Sequence, residues 1–296
     1  MPLRIGIVGA ENSHTAAIAK ILNVDKACGK ARVVAVWGET KKFAEDAAKQ
    51  GEIPTIVKKP EDMIGMIDAV VVDHRHPKYH VPATMPFIEA GIPAFVDKPF
   101  SYRVKEGWNL IQLARKKKVP LTSFSILPEQ ESFKKDLCKQ VKAAGQITYI
   151  ESEGPCDIKS KYGGIFFYGI HQIGEILAAF GGGIDSVQVI KASGKNPNAV
   201  AILRYRNGGP IVSMGCIKEG VVKFVFRACG SKGQVHYEYK PDASPYLAGT
   251  KKFVKMFRTG IEPYTPAEIL EPVAVLEALE KSVKTGKLTK VPKLPC

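Results

Sequence analysis

The sequence predicts an α/β chain in two domains: a doubly wound parallel sheet first, then an α/β domain on an open, mostly antiparallel sheet. Three observations predict it. Short apolar runs alternate with helical patterns over the first ~120 residues, the signature of strands joined by crossover helices. After a long helical stretch, four or five strand-like runs then follow one another with only short glycine-marked turns between them, which favours antiparallel pairing. The length, 296 residues, accommodates two ordinary domains. The expected boundary gives domains 1–122 and 123–296.

Taken in order, Leu3 to Val8 is the first strand, Gly9 to His14 a turn, and Thr15 to Leu22 a helix. The valine-rich run Arg32 to Trp37 is a second strand, and Lys41 to Gln50 a second helix. Pro60-Glu61-Asp62 has the proline and acids of a helix start. Ala69 to Val72 is unbroken apolar, as a strand covered on both faces must be. A helix from Val81 to Ala90 stops at Gly91. Ala94 to Val96 is the next strand, and Val104, Trp108 and Ile111 recur at helical spacing. The cations Arg115 to Lys118 then complement a helix C-terminus, and Leu121 to Phe124 closes the first domain as a strand. In the second domain, helices are expected at 129–144 and 168–180. Strands are expected at 146–153, 187–191, 200–206, 211–217, 221–228 and 234–239. Two helices, 247–257 and 267–284, end the chain.

With 45% hydrophobic and 24% charged residues the composition is that of a soluble globular protein. No apolar run approaches the roughly 20 residues that cross a bilayer, and Met1 to Ala10 lacks the layout of a secretion signal. The six cysteines form no C-x-x-C pair or metal spacing, so free thiols in a reducing cytoplasm are expected. The formal charge of +14 favours anionic small molecules. No nucleic-acid motif accompanies the basic runs, and neither nucleic acid nor membrane is expected as a partner.

Candidate site residues cluster at strand ends, where open parallel sheets bind their ligands. A dinucleotide fingerprint G-x-G-x-x-G would begin at Gly9, but Glu11 and His14 occupy its second and third glycine positions. Amides after Asn12 and Ser13 can still meet an anion. Glu39, after the second strand, is placed for an adenosine ribose and favours NAD, while Lys41 and Lys42 would tolerate the extra phosphate of NADP. Asp73, His74 and Arg75 open the loop after the Ala69–Val72 strand. Three histidines within seven residues there (His74, His76 and His80) lack a metal-binding spacing, and no metal is expected. Asp97 and Lys98 end the next strand, where a lysine can be partly desolvated and drawn into proton traffic. Gly163 to Gln172 places His171 early in a helix, with Glu175 four residues on along the same face.

Together these stretches resemble the glucose–fructose oxidoreductase / inositol dehydrogenase / MocA (Gfo/Idh/MocA) family of NAD(P)-dependent enzymes. Asp97-Lys98-Pro99 resembles the family's E/D-K-P motif, and 68–97 the segment that leads to it. Gly145-Gln146-Ile147 resembles its turn into the second domain, Gly163 to His171 its glycine-rich D-x-x-x-H segment, and 275–287 its terminal helix. Besides the degenerate fingerprint, the chain departs from the family at Phe167, which stands where the motif has aspartate, with Tyr168 beside it. The resemblance implies a Rossmann domain followed by a substrate-binding domain. It implies reversible hydride transfer between NAD and a sugar, cyclitol or related polyol, with His171 as base, Lys98 on the substrate oxygen and Tyr168 as donor to a neighbouring hydroxyl. Cofactor contacts fall on Gly9, Glu11, Asn12, Ser13, His14, Glu39, Asp73, His74, Asp97 and Lys98. Substrate contacts fall on Arg75, Lys159, Lys161 and Gln172. A homodimer or homotetramer, paired through the open sheet, is implied as well. Two other readings compete: a redox-neutral epimerase, lyase or glycosidase that retains its NAD, and a non-catalytic regulator that binds nucleotide or sugar.

Overall fold

The computed structural model describes residues 2–220 and 222–295 and divides into two units. The first comprises 1–126 and 244–269, the second 127–243 and 270–296. The first holds a six-stranded, wholly parallel sheet in the order β3-β2-β1-β4-β5-β6. Its strands are β1 (Leu3–Val8), β2 (Ala31–Trp37), β3 (Thr55–Ile56), β4 (Ala69–Val72), β5 (Ala94–Val96) and β6 (Leu121–Ser123). This is the doubly wound order, which reverses direction between β1 and β4. Every residue of β4 and β5 is buried, as their unbroken apolar runs predict. The crossover helices are α1 (Ser13–Ala19), α2 (Lys41–Gly51), α3 (His80–Glu89) and α4 (Val104–Lys117). Thr40 caps α2 by accepting the Phe43 amide at 3.2 Å. Where a plain helix to Leu22 is expected, α1 passes into a π-helical turn, Lys20–Val24. Buried Asn23 then ties that turn to β2 and α2, accepting from Val33 N and donating to the carbonyls of Val33 and Gly51, each at 2.9 Å.

A single cut at residue 122 is the sequence expectation, whereas the chain returns to the first unit through α7 (Leu247–Thr259). The reason is aromatic packing. Phe253 of α7 stacks on Phe95 of β5 with ring centroids 4.6 Å apart, and Val254 joins the same core. Near the end of this returning segment, Glu262 accepts the Leu121 amide at 2.9 Å.

The second unit carries a seven-stranded sheet, order β12-β11-β7-β10-β9-β8-β13. Its strands are β7 (Ile147–Pro155), β8 (Ile184–Lys191), β9 (Ala199–Tyr205), β10 (Ile211–Ile217), β11 (Val225–Gly230), β12 (Gly233–Glu238) and β13 (Thr289–Lys290). Only β7 and β10 pair in parallel, so the sheet is mostly antiparallel as expected. Val221, the expected start of β11, lies outside the described residues. A π-helical turn, Phe133–Cys138, leads into α5 (Lys139–Ala144), and α6 (Phe166–Phe180) packs against β7. The last helix, α8 (Pro266–Thr285), begins in the first unit's sequence and continues in the second's. The five described cysteines are free thiols, and Cys296 lies outside the described residues. No helix among the described residues is long and apolar enough to cross a membrane.

Candidate active site

The first unit gathers its polar residues at the carboxyl ends of β1, β2, β4 and β5. Gly9 opens the turn after β1 with φ +104°, and a Cβ there would lie 2.8 Å from the Asp73 backbone. Only glycine permits that approach. The next two amides, Ala10 N and Glu11 N, both donate to Glu39 Oε2 at 2.9 Å. Glu39 thus reaches from the end of β2 across the turn that the fingerprint glycines would occupy. Its second oxygen, Oε1, is buried with no hydrogen-bond partner among the described residues.

Beside this turn lies a buried ionic cluster. Asp97 Oδ2 takes three donors: Lys98 Nζ at 3.1 Å, His14 Nδ1 at 3.2 Å and Asn12 Nδ2 at 3.3 Å. Asp73, wholly buried at the end of β4, accepts from Asn12 Nδ2 at 2.8 Å and lies 3.7 Å from His14. The Thr15 hydroxyl is 2.7 Å from the Gly9 carbonyl and 2.6 Å from Asp73 Oδ2. A hydroxyl has one proton to give and the carbonyl can only accept. Thr15 therefore satisfies both contacts when Asp73 carries a proton.

The electrostatics agree. Burial first, and then the charge of Asp97, push the Asp73 carboxyl well above its usual range. Burial would raise Asp97 too, but Lys98 and His14 outweigh it and hold Asp97 below the ordinary carboxylate range. Burial lowers His14, which stays a neutral ring. Its bond to Asp97 then fixes the proton on Nδ1. One ammonium, one carboxylate, one neutral acid and one neutral imidazole leave the cluster uncharged. His14, Asp73 and Asp97 would suit a metal ion by composition, but the Lys98 ammonium and the Asn12 amide already occupy the oxygens such an ion would need.

The loop after β4 is less ionic than its sequence suggests. His74 is buried among the rings of Trp37, Tyr79 and His80. Burial, helped by His80, lowers its pKa to about 3, so it is neutral. His80 lies between two backbone carbonyls: its Nδ1 is 2.8 Å from that of Pro99 and its Nε2 2.8 Å from that of His74. The ring thereby fastens the residues after β4 to those after β5. Arg75 is half-buried, and Ser13 is exposed.

The second unit holds the other predicted group. His171 lies in the first half of α6, 9% exposed, with its ring against Tyr168 (5.4 Å) and Phe224 (5.6 Å). Tyr168 is 39% exposed. Phe167, at the motif's aspartate position, packs on Tyr162 and Tyr168. Lys159 and Lys161 are exposed, the latter with its amine over the Tyr162 ring. Gln172, expected as a substrate contact, is instead wholly buried. Its Oε1 accepts from Ser152 at 2.7 Å and its Nε2 donates to the Gly215 carbonyl at 2.9 Å, which pins α6 to β7 and β10. Both ends of the amide are committed to the fold. The described contacts thus bring Gly9, Glu11, Asn12, His14, Glu39, Asp73, Asp97 and Lys98 together in one unit, and Tyr168 beside His171 in the other. Thr15 escapes the sequence reading, although a hydroxyl one turn after a strand-end glycine is the signal for it.

Residues 3–124 match the sequence profile of the Gfo/Idh/MocA oxidoreductase family, NAD-binding Rossmann fold. That segment belongs to this family. The N-terminal unit is accordingly an NAD-binding Rossmann domain of the oxidoreductase type. No curated protein matches the sequence, but solved structures match the fold along nearly its whole length. Myo-inositol 2-dehydrogenase from Lactobacillus plantarum superposes with a TM-score of 0.85 at 19% identity, covering 99% of this chain and 100% of that one. Scyllo-inositol dehydrogenase from Lactobacillus casei, solved with bound NAD(H) and scyllo-inositol, gives 0.84 at 17% identity, covering 98% and 99%. The residues of the Rossmann domain fit the family's cofactor at its ribose end. Glu39 Oε1, buried and unpartnered, is an acceptor awaiting a donor such as a ribose hydroxyl.

Proposed function

We propose that this protein is an NAD-dependent dehydrogenase that oxidises a carbinol of a cyclitol, sugar or related polyol. The observation that carries the reading is the buried Asp97–Lys98 pair at the end of β5 in an NAD-binding domain. A buried ammonium on a strand end of such a domain serves an oxygen that develops negative charge. The inositol dehydrogenases that share the fold support the polyol class. Glu39 Oε1 would hold the ribose, and the residues from Gly9 to His14 line the turn beside it. Bound NAD supplies the hydride acceptor. Lys98 holds the carbinol oxygen, and His171 takes the hydroxyl proton as general base. Tyr168, exposed beside His171, donates to a neighbouring hydroxyl, and Arg75, Lys159 and Lys161 supply polar contacts to substrate. The protein works in the cytoplasm as a homodimer or homotetramer.

The test begins with NADH titrated into the purified protein by fluorescence, followed by NAD reduction with scyllo- and myo-inositol. NADH binds, Glu39→Gln weakens it by about tenfold, and Lys98→Ala and His171→Ala each lower turnover by at least ~100-fold with folding intact. Absence of binding at millimolar NADH would overturn the enzyme in favour of the regulator. Full turnover in either alanine variant overturns that residue's role, and NAD that co-purifies and is never released during turnover points to the redox-neutral reading.

A further inference from the structure

We infer that His14 is a positioning residue for Lys98, acting through Asp97. In the fingerprint its position belongs to the third glycine. Here an imidazole fills it, buried to 9% exposure, with its ring edge-on to Tyr246 at 5.0 Å. That ring delivers its Nδ1–H to Asp97 Oδ2, the same oxygen that holds Lys98 Nζ. Asn12 Nδ2 is the third donor to that atom. The three donors come from three places, the turn after β1, the start of α1 and the end of β5, so the carboxylate has no freedom to swing. Its rotamer sets where the Lys98 ammonium stands.

Several groups face His14. Asp97 and Asp73 lie on one side, Lys98 and Arg75 act on it electrostatically, and Tyr246 covers the ring. Asp73 is the more distant acid at 3.7 Å and is engaged by Asn12 and Thr15. Because His14 is neutral, it shares the negative charge of Asp97 without adding positive charge beside Lys98. Removing its donor leaves more of that charge to the ammonium alone, which is then held more tightly against Asp97. The loss of a fingerprint glycine is thereby tied to the lysine motif: the bulk that crowds the turn is the bulk that orients the Lys98 ammonium.

This inference rests on the dehydrogenase reading for its consequence in turnover, but not for its geometry, and the experiment separates the two. Three variants are compared with wild type: His14→Ala, His14→Phe, which keeps a ring but has no donor, and His14→Asn, which restores an N–H. Lys98 reactivity is read on the cofactor-free full-length protein by limited acetylation with acetic anhydride and peptide mass spectrometry. Acetylation of Lys98 slows by about threefold in the Ala and Phe variants and returns toward wild type in Asn, while the other lysines are unaffected. Turnover falls by about tenfold in Ala and Phe, with the KM for NAD within about twofold, and Asn recovers most of it. An unchanged or faster Lys98 acetylation in His14→Phe overturns the positioning role, whatever happens to activity. Slowed acetylation together with a fully active Lys98→Ala variant upholds the coupling and overturns the dehydrogenase role of the lysine instead.

Discussion

Two buried carboxylates, one in each unit, meet opposite fates. Asp97 lies among three donors on a single oxygen and stays ionised below the usual carboxylate range. Glu175, in α6, is equally buried, but neither of its oxygens has a hydrogen-bond partner among the described residues. With burial as its only influence, its carboxyl is pushed well above the ordinary value and stays protonated. Both side chains are inaccessible to water, so burial does not decide the charge. The Lys98 ammonium beside Asp97 does, with His14 and Asn12 donating to the same oxygen. The parallel sheet brings these groups together because several strand ends and one helix start converge at its carboxyl edge. The helix-on-sheet core around Glu175 offers it none.

The sharpest way to break this comparison is to take Asp97 away. Asp97→Ala leaves the Lys98 ammonium buried without its anion, and the loss of stability at neutral pH is about 3 kcal/mol by denaturant unfolding. The sign with pH follows from the direction of the shift. A carboxyl depressed in the folded state contributes stability above its unfolded value of about 4, and that contribution disappears as pH falls through the folded value. Wild type therefore loses stability on acidification more steeply than the variant. Parallel curves would mean that Asp97 is no better held folded than unfolded. Gly9→Ala comes next. It places a methyl 2.8 Å from the Asp73 backbone at φ +104°, for a cost of roughly 2 kcal/mol. Since Asp73 is the wall it strikes, the variant also disturbs the acid cluster. A neutral outcome would mean that β1 and β4 separate freely at their carboxyl ends.

How much of this was legible in the sequence depends on range. The unbroken runs Ala69–Val72 and Ala94–Val96 announce buried central strands, and the glycine-punctuated runs after residue 184 announce the second sheet. The two-residue strands β3 and β13 are too short for any periodicity. The return of α7 rests on Phe253 stacking against Phe95, a pairing of residues that no local pattern joins. In the candidate site, Glu39, Asp97 and Lys98 are legible because strand-end acids and lysines have a known use. The bond from His14 to Asp97 is not, since only folding brings positions 14 and 97 together. Gln172 misleads for the same reason. Beside a candidate base it reads as a substrate contact, yet its partners, Ser152 and Gly215, lie on strands far off in sequence. Glu175 reads as the same-face neighbour of His171, but its carboxyl oxygens find no hydrogen-bond partner among the described residues.

The smallest effect expected is at Glu175, and it runs the other way. In the folded protein the carboxyl keeps its proton far above its ordinary value of 4.5, while in the unfolded chain it ionises near that value. Above it, the unfolded state binds fewer protons than the folded one, so stability falls as pH rises. Glu175→Leu abolishes that slope and removes a polar group with no partner. The variant is more stable than wild type by about 1–2 kcal/mol at about pH 8, and the gap narrows as pH is lowered toward 4.5. Thermal unfolding of both proteins across that range reads the effect directly. A gap that stays constant with pH would mean Glu175 titrates alike in both states, and a less stable leucine variant would mean the carboxyl has a partner in the folded protein. Either result would remove the contrast with Asp97.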